Sequence, residues 1–331
     1  MIQQNYKAPF PAAIKIQEEN ILPGTQTKIL LGAGKLPSGS QLSITTHVFR
    51  ASKPGPTVLL LGGIHGDEIN GIEIITSLLE SQYLQQLKSG CVLAIPLLNV
   101  FGFNNMSRDM PDGKDVNRSF PGNKSGSLAS RVAKSLTQNI LPLADYAIDL
   151  HTGGAHRYNY PHTRYTPGDD TSQILAEVFA APFAVKQALI AHSFRKVAND
   201  MHTHVLVYEA GESGRIDGLA VKTGIQGILN VLTYLEMLPP QQNLQAAQPT
   251  LHFNKTTWVR ASNPGLFSAL VTAGQKVKEG MLLGNIKDPY GVKSYAITSK
   301  VHGYIIGINH AAVVNQGDAI FHVGSYDEKH N

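Results

Sequence analysis

The sequence predicts a three-layer α/β domain built on a mixed sheet, followed by a small all-β, barrel-like domain. Three observations predict it. Apolar strand patterns alternate with helical patterns from Thr57 to Met237. A Pro- and Gln-rich break then runs from Pro239 to Pro249. Beyond it the helical pattern stops, and short apolar stretches are separated by glycines at 265, 274, 280, 291, 303 and 317. The boundaries expected are 1–240 for the α/β domain and 250–328 for the β domain.

The elements follow in order. Residues 1–55 have β character, with polar–apolar alternation over Gln41–Phe49 and turn signals at 32–40 and 53–56. Thr57–Leu61 is a continuous apolar run of the kind that forms a buried strand. Residues 71–87 carry apolar positions at helical spacing. Cys91–Leu98 is a second buried strand, Leu128–Ile140 a helix and Tyr146–Leu150 a third strand. Gln173–Phe179 reads as a helix, His204–Tyr208 as a strand and Ile225–Met237 as the last helix.

Composition narrows the function. The chain has 331 residues, 42% hydrophobic and 16% charged, enough apolar material for a large core. The net charge of +4 is not gathered into basic runs, so no nucleic-acid stripe is expected. The single cysteine, Cys91, sits in an apolar run and reads as a buried strand residue. The first twenty residues lack the charged start and apolar stretch of an export signal, and no stretch reaches the length of a membrane span. A cytoplasmic location is expected.

Two motifs carry chemistry. Gly62-Gly-Ile-His65-Gly-Asp-Glu68 follows an apolar strand and precedes a helix. Asp149-Leu-His151-Thr-Gly-Gly154 ends another apolar strand. Either histidine alone would read as structural. Together, two imidazoles and a carboxylate lie just past the carboxyl ends of two strands, where open α/β sheets bind ligands. Three protein ligands leave a coordination position for water, as in a catalytic zinc site. A carboxylate is also needed to move protons. Glu209 and Glu212, in Glu209-Ala-Gly-Glu212 at the end of the 204–208 strand, are both candidates.

His-Gly-Asp-Glu at 65–68, Asp-Val-Asn-Arg-Ser-Phe-Pro-Gly at 115–122, Asp-Leu-His-Thr at 149–152 and Glu-Ala-Gly at 209–211 occur in this order. Together they resemble the succinylglutamate desuccinylase/aspartoacylase family, within the carboxypeptidase A-like zinc hydrolases, over roughly residues 45–325. The resemblance implies one zinc ion per chain, held by His65, Glu68 and His151, and Glu209 as general base. It implies Arg108 as the cation that polarises the acyl carbonyl. It implies Asn117 and Arg118 as holders of an amino-acid carboxylate, and Asp115 as the group orienting His65. Asp149 could orient His151 or cap a backbone amide. The segment 153–165, carrying His156, Arg157, Tyr158, Tyr160, His162 and Arg164, is expected as a loop forming a pocket wall. A cation for a dicarboxylic acyl group has no single match among Arg157, Arg164 and Arg195.

Residues 250–325 resemble a biotinyl/lipoyl-like barrel in glycine and valine spacing. Lys300 is not in the hairpin of a carrier lysine, so a structural or covering role is expected, with Tyr290 as a loop-tip residue that could reach the site. The implied function is zinc-dependent deacylation of an N-acyl amino acid or related small amine. A zinc carboxypeptidase or murein-peptide amidase is the alternative. The expected partner is a small-molecule substrate, with no nucleic acid and no membrane; a homo-oligomer is compatible with the sequence.

Overall fold

The structure is a computed structural model that describes residues 12–240 and 249–325. Most of the expected linker (241–248) and the last three residues of the expected second domain (326–328) lie outside the described residues.

The buried apolar runs form the centre of a mixed sheet. Thr57–Leu61 pairs in parallel with Cys91–Ile95 on one side and with Tyr146–Gly153 on the other. His204–Glu212 adds in parallel beyond Tyr146–Gly153. The flanks are antiparallel. Gln41–Arg50 pairs with Cys91–Ile95 and with Gln26–Lys35, while Arg157–Tyr165 pairs with His204–Glu212.

Strand side chains alternate between faces, and this divides the core in two. Leu59, Leu61, Leu93, Ile95 and Val207 pack with helices Leu128–Asn139 and Phe194–Asp200. Val58, Leu60, Val92, Ala94 and Leu206 pack with helices Ile69–Glu80, Asp170–Phe179 and Gly218–Tyr234. Helices therefore cover both faces, and both faces of the central strands are dry, which is why those strands read as unbroken apolar runs. Cys91 is buried among them; burial pushes its thiol up to about 12 and leaves it inert at neutral pH.

Three local readings are corrected. Residues 157–165 form a strand, not a loop. The last helix starts at Gly218, capped by the Asp217 carboxylate accepting from the Ala220 amide at 2.7 Å, seven residues before the expected start. The first helix ends at Glu80, with a 3₁₀ turn at Leu84–Gln86.

The C-terminal β region occupies two sheets. Gly303–Asn309 pairs antiparallel with Arg157–Tyr165, matching Gly307 to Asn159 and Ile308 to Tyr158. Ala319–Ser325 and Lys255–Arg260 continue outward from it, so these strands extend the central sheet. The second sheet has the order Ser294–Thr298, Leu282–Lys287, Gly265–Ala269, Val313–Val314. Among the described residues the pairings do not close into a ring. No helix of the described residues is long and apolar enough to cross a membrane.

One glycine is dictated by close approach. A Cβ on Gly66 would lie 1.9 Å from the Gly102 carbonyl carbon and 2.0 Å from the Phe103 nitrogen, both backbone atoms with nowhere to move. Gly66→Ala should cost about 3 kcal/mol in a urea titration. Gly218→Ala, where nothing lies within 4 Å, should be neutral or stabilising.

Candidate metal and catalytic site

The Thr57–Leu61 strand ends in Gly62-Gly63, and Gly63 adopts a positive φ of 57° that lets the chain turn back before the helix. That turn delivers His65 and Glu68 to the carboxyl end of the sheet. Glu68 occupies the N-cap position of helix Ile69–Glu80 but makes no side-chain cap, so its carboxylate is free for other partners. One strand over, His151 and Asp149 occupy the end of Tyr146–Gly153.

The result is a symmetrical cluster around one carboxylate. Glu68 Oε1 lies 2.7 Å from His65 Nδ1, and Oε2 lies 2.8 Å from His151 Nδ1. Each imidazole is held from behind: His65 Nε2 by Asp115 Oδ1 at 3.2 Å, and His151 Nε2 by Asp149 Oδ2 at 2.9 Å. The expected role of Asp115 as an orienting group thus has its geometry, and Asp149 takes the orienting option. The ligand atoms of His65, Glu68 and His151 lie within 4.8 Å of one another, and all three residues are buried. A converging pair of nitrogens and a carboxylate, with carboxylates behind both rings, suits a divalent ion.

Electrostatics agree. Burial alone would raise Glu68, but His65 and His151 hold it well below the usual carboxylate range. Burial alone would lower His151, but Asp149 and Glu68 lift it well above the usual histidine range. His65 is raised in the same way, against burial, by Glu68 and Asp115. Asp115 is lowered despite burial, by His65 and Arg108.

His65, Glu68, Asp149 and His151 line a cavity of about 250 Å³. Arg108 lines it, with Nη2 donating to Asp115 at 2.8 Å and Nη1 donating to Glu68 at 3.2 Å. Asn117 and Arg118 also line it. Asn117 Oδ1 accepts from the Phe194 amide at 2.8 Å, tying the 115–118 segment to helix Phe194–Asp200. Of the two carboxylate candidates, Glu209 lines the cavity. Glu212 does not; it accepts from His310 at 2.9 Å instead.

Four further residues form the wall: Arg164 and Arg195 are among the expected candidate cations and Arg164 lies in the expected pocket-wall segment, whereas the sequence does not single out Asn159 and Trp258. Asn159 Nδ2 donates to Glu209 Oε2 at 2.9 Å, and Arg164 Nη1 pairs with Glu209 Oε1 at 3.0 Å. Arg195 is buried in the wall; burial first, then the neighbouring Arg164, lowers its guanidinium to about 10. Trp258 reaches the cavity from the C-terminal region, stacked on His322 at 4.4 Å. Tyr290 does not line the cavity and is 88% exposed. Arg164 and His162 both fall in the expected wall segment, but no sequence signal marks Trp258.

Fold and site define a class: an α/β protein with a buried His–Glu–His cluster, fit to hold a metal ion, at the carboxyl ends of a mixed sheet. The sequence model of the succinylglutamate desuccinylase/aspartoacylase catalytic domain matches residues 54–235, and the chain belongs to that family of deacylases. It is 26% identical over 330 residues to the N-α-acetyl-L-2,4-diaminobutyric acid deacetylase of Halomonas elongata, covering 96% of this chain and 95% of the relative. The solved succinylglutamate desuccinylase/aspartoacylase of Rhodobacter sphaeroides superimposes with a TM-score of 0.81 at 28% identity, over 92% of this chain and 96% of that one. The product-bound ectoine utilization protein of Ruegeria pomeroyi shares the fold with a TM-score of 0.81 at 24% identity, over 91% and 95%.

Burial pushes the His322 imidazole down to about 3, and Arg164 adds to the effect. The unfolded chain therefore binds a proton that the fold refuses. His322 contributes full stability above about pH 6.5 and progressively less as pH falls toward 3. Between pH 7 and pH 5 this amounts to about 2 kcal/mol. His322→Phe, which keeps a ring against Trp258, should remove about that much from the acid destabilisation seen in urea titrations at the two pH values.

Proposed function

We propose that the protein is a zinc-dependent amidohydrolase that removes the acyl group from an N-acyl amino acid or a related small amine. The observation that carries the reading is that the His65–Glu68–His151 cluster and the Glu209 carboxylate face one small cavity. In this reading residues 1–240 form the catalytic domain, and residues 250–328 form a β domain that closes one wall. The substrate is a small molecule met in the cytoplasm.

His65, Glu68 and His151 would hold the ion. When bound it would supply Lewis acidity, making a water more acidic and an acyl carbonyl carbon more electrophilic. The chain's own groups do the rest. Glu209 takes the proton of the attacking water and returns it to the leaving nitrogen, so one water is consumed and a carboxylate and an amine are released. Arg108 faces the negative charge that develops on the acyl oxygen. Asn117 and Arg118 hold the carboxylate of the amino-acid half, for which the guanidinium fork is suited.

Charge in the cavity narrows the substrate. Its lining carboxylates are Glu68, Asp149 and Glu209, and each is already engaged with histidine or arginine. Arg118, Arg157, Arg164 and Arg195 also face it. The Halomonas relative acts on an N-acetylated diamino acid. Here an additional ammonium would meet arginines and no spare carboxylate, so an acyl amino acid with net negative charge is the preferred class.

Two experiments test the reading. The first incubates zinc-loaded protein with N-acetyl and N-succinyl amino acids of acidic, neutral and basic types, beside short peptides. Release from acidic or neutral acyl amino acids is expected; release from peptides alone would transfer the assignment to a carboxypeptidase or murein-peptide amidase. Glu209→Gln should lower kcat by about 100-fold or more while zinc content is unchanged. The second titrates zinc into metal-free protein in buffers of different ionisation enthalpy. Because His65 and His151 are both raised above the usual histidine range without the ion, binding should release protons, and affinity should fall as pH falls. His151→Ala should abolish stoichiometric binding.

A further inference from the structure

Glu209 does not stand alone. It sits opposite His162 in the antiparallel pairing of His204–Glu212 with Arg157–Tyr165, and opposed residues of such a pair project to the same face. Arg164, two residues on from His162, shares that face. The guanidinium of Arg164 is held at both ends: Nη1 lies 3.0 Å from Glu209 Oε1, and Nε donates to His162 Nε2 at 3.3 Å. His162 Nδ1 lies 2.8 Å from the Tyr160 carbonyl oxygen.

These contacts allow one protonation state. A carbonyl oxygen only accepts, so Nδ1 must carry a hydrogen. An arginine Nε only donates, so the other ring nitrogen must present its lone pair. His162 is therefore neutral, as the Nδ1–H tautomer. Its side chain is fully enclosed, and burial first, with Arg164 second, drives its pKa well below the usual histidine range. An imidazolium here would set N–H against N–H and charge against charge. The other oxygen of Glu209 is taken by Asn159, so both lobes of the carboxylate are fixed.

We propose that His162 is a positioning residue for the deacylation reaction: as a buried neutral imidazole it locks the Arg164 guanidinium, which with Asn159 aims the Glu209 carboxylate at the reacting water. The proposal rests on the reading of Glu209 as general base. A base displaced by about 1 Å can lose roughly 100-fold in rate, so rigid support has catalytic value without touching substrate.

The test uses the full-length zinc-loaded protein and the acyl amino acid it hydrolyses fastest. Arg164→Gln, a change at a partly exposed side chain, should lower kcat by about tenfold to 100-fold with zinc content unchanged. His162→Phe should do the same with little change in KM, and His162→Gln, whose amide oxygen can accept from Arg164, should recover most of the loss. In a Glu209→Gln background neither substitution should lower the residual rate further, because each acts through the base. Should His162→Phe fail to fold, Arg164→Gln in both backgrounds still decides. Histidine ¹⁵N shifts of the metal-free protein give a second readout: His162 should be the neutral Nδ1–H tautomer at neutral pH.

Wild-type kcat in Arg164→Gln overturns the proposal. So does an equal loss in the Glu209→Gln background, or a protonated His162 at neutral pH. If Glu209→Gln is itself as active as wild type, the reading of Glu209 as the base fails, and that failure is distinct from the others.

Discussion

The Glu68 carboxylate is the constraint on which the rest of the molecule depends. It is buried, with one oxygen against each of two buried imidazoles. An isolated charge in that environment would be ruinous, so it exists only as part of a neutralised set. Protons on the histidines provide the neutralisation in the metal-free protein, and a divalent ion can replace them. Both arrangements need the ring nitrogens on the far side to be held, which Asp115 and Asp149 do. The backbone is shaped to serve this set. Gly63 turns the chain after the strand, Gly66 lets it pass against Gly102, and Glu68 gives up its capping role to remain available.

The C-terminal β region belongs to the same construction. Gly303–Asn309 extends the sheet alongside Arg157–Tyr165, the strand that carries Asn159, His162 and Arg164. Gly307 faces Asn159, and a Cβ there would lie 2.8 Å from the Asn159 side-chain oxygen. Trp258 and His322 then form a stacked pair whose tryptophan is a wall of the cavity. A region that reads in sequence as a covering module is therefore joined by main-chain hydrogen bonds to the strand whose Asn159 and Arg164 hold the Glu209 carboxylate.

Legibility in the sequence followed burial on both faces. Thr57–Leu61 reads correctly to the residue because Val58 to Leu61 are buried in apolar clusters on both faces of the sheet. The His65–Glu68–His151 cluster was legible because glycine brackets its histidines at strand ends, and the family motifs pointed to Arg108, Asn117, Arg118 and Glu209, all of which line the cavity. The wall strand 157–165 was not legible, since it alternates tyrosine with polar residues and lacks an apolar run. Asn159 was hidden by a change of phase. Three steps along this strand, from Asn159 to His162, answer two on its partner, from Glu209 to Gly211. Such an irregularity redirects side chains in a way that simple alternation cannot anticipate. Trp258 was hidden for a different reason: its place depends on long-range pairings, Trp258 with His322 and Gly307 with Asn159.

Charge ties these parts together. A guanidinium buried against an ion pair partner usually ends up compensated, and Arg108 is, by Asp115 and Glu68. Around Arg164 the fold places two neutral histidines, His162 and His322, where carboxylates would have cancelled its charge more completely. Arg195 lies near enough to Arg164 for the two to repel, and its Nη1 has no hydrogen-bond partner among the described residues. Glu209 balances one of these cations and no more. The cavity is thus left with a positive field that the protein itself does not relieve, in a recess where low-dielectric walls focus it. An incoming anion gains what the arginines lack, and a neutral or cationic molecule of the same shape gains nothing. In the proposed reading, selectivity for charge would come from the histidines as much as from the arginines, because their neutrality leaves the positive charge available to the ligand.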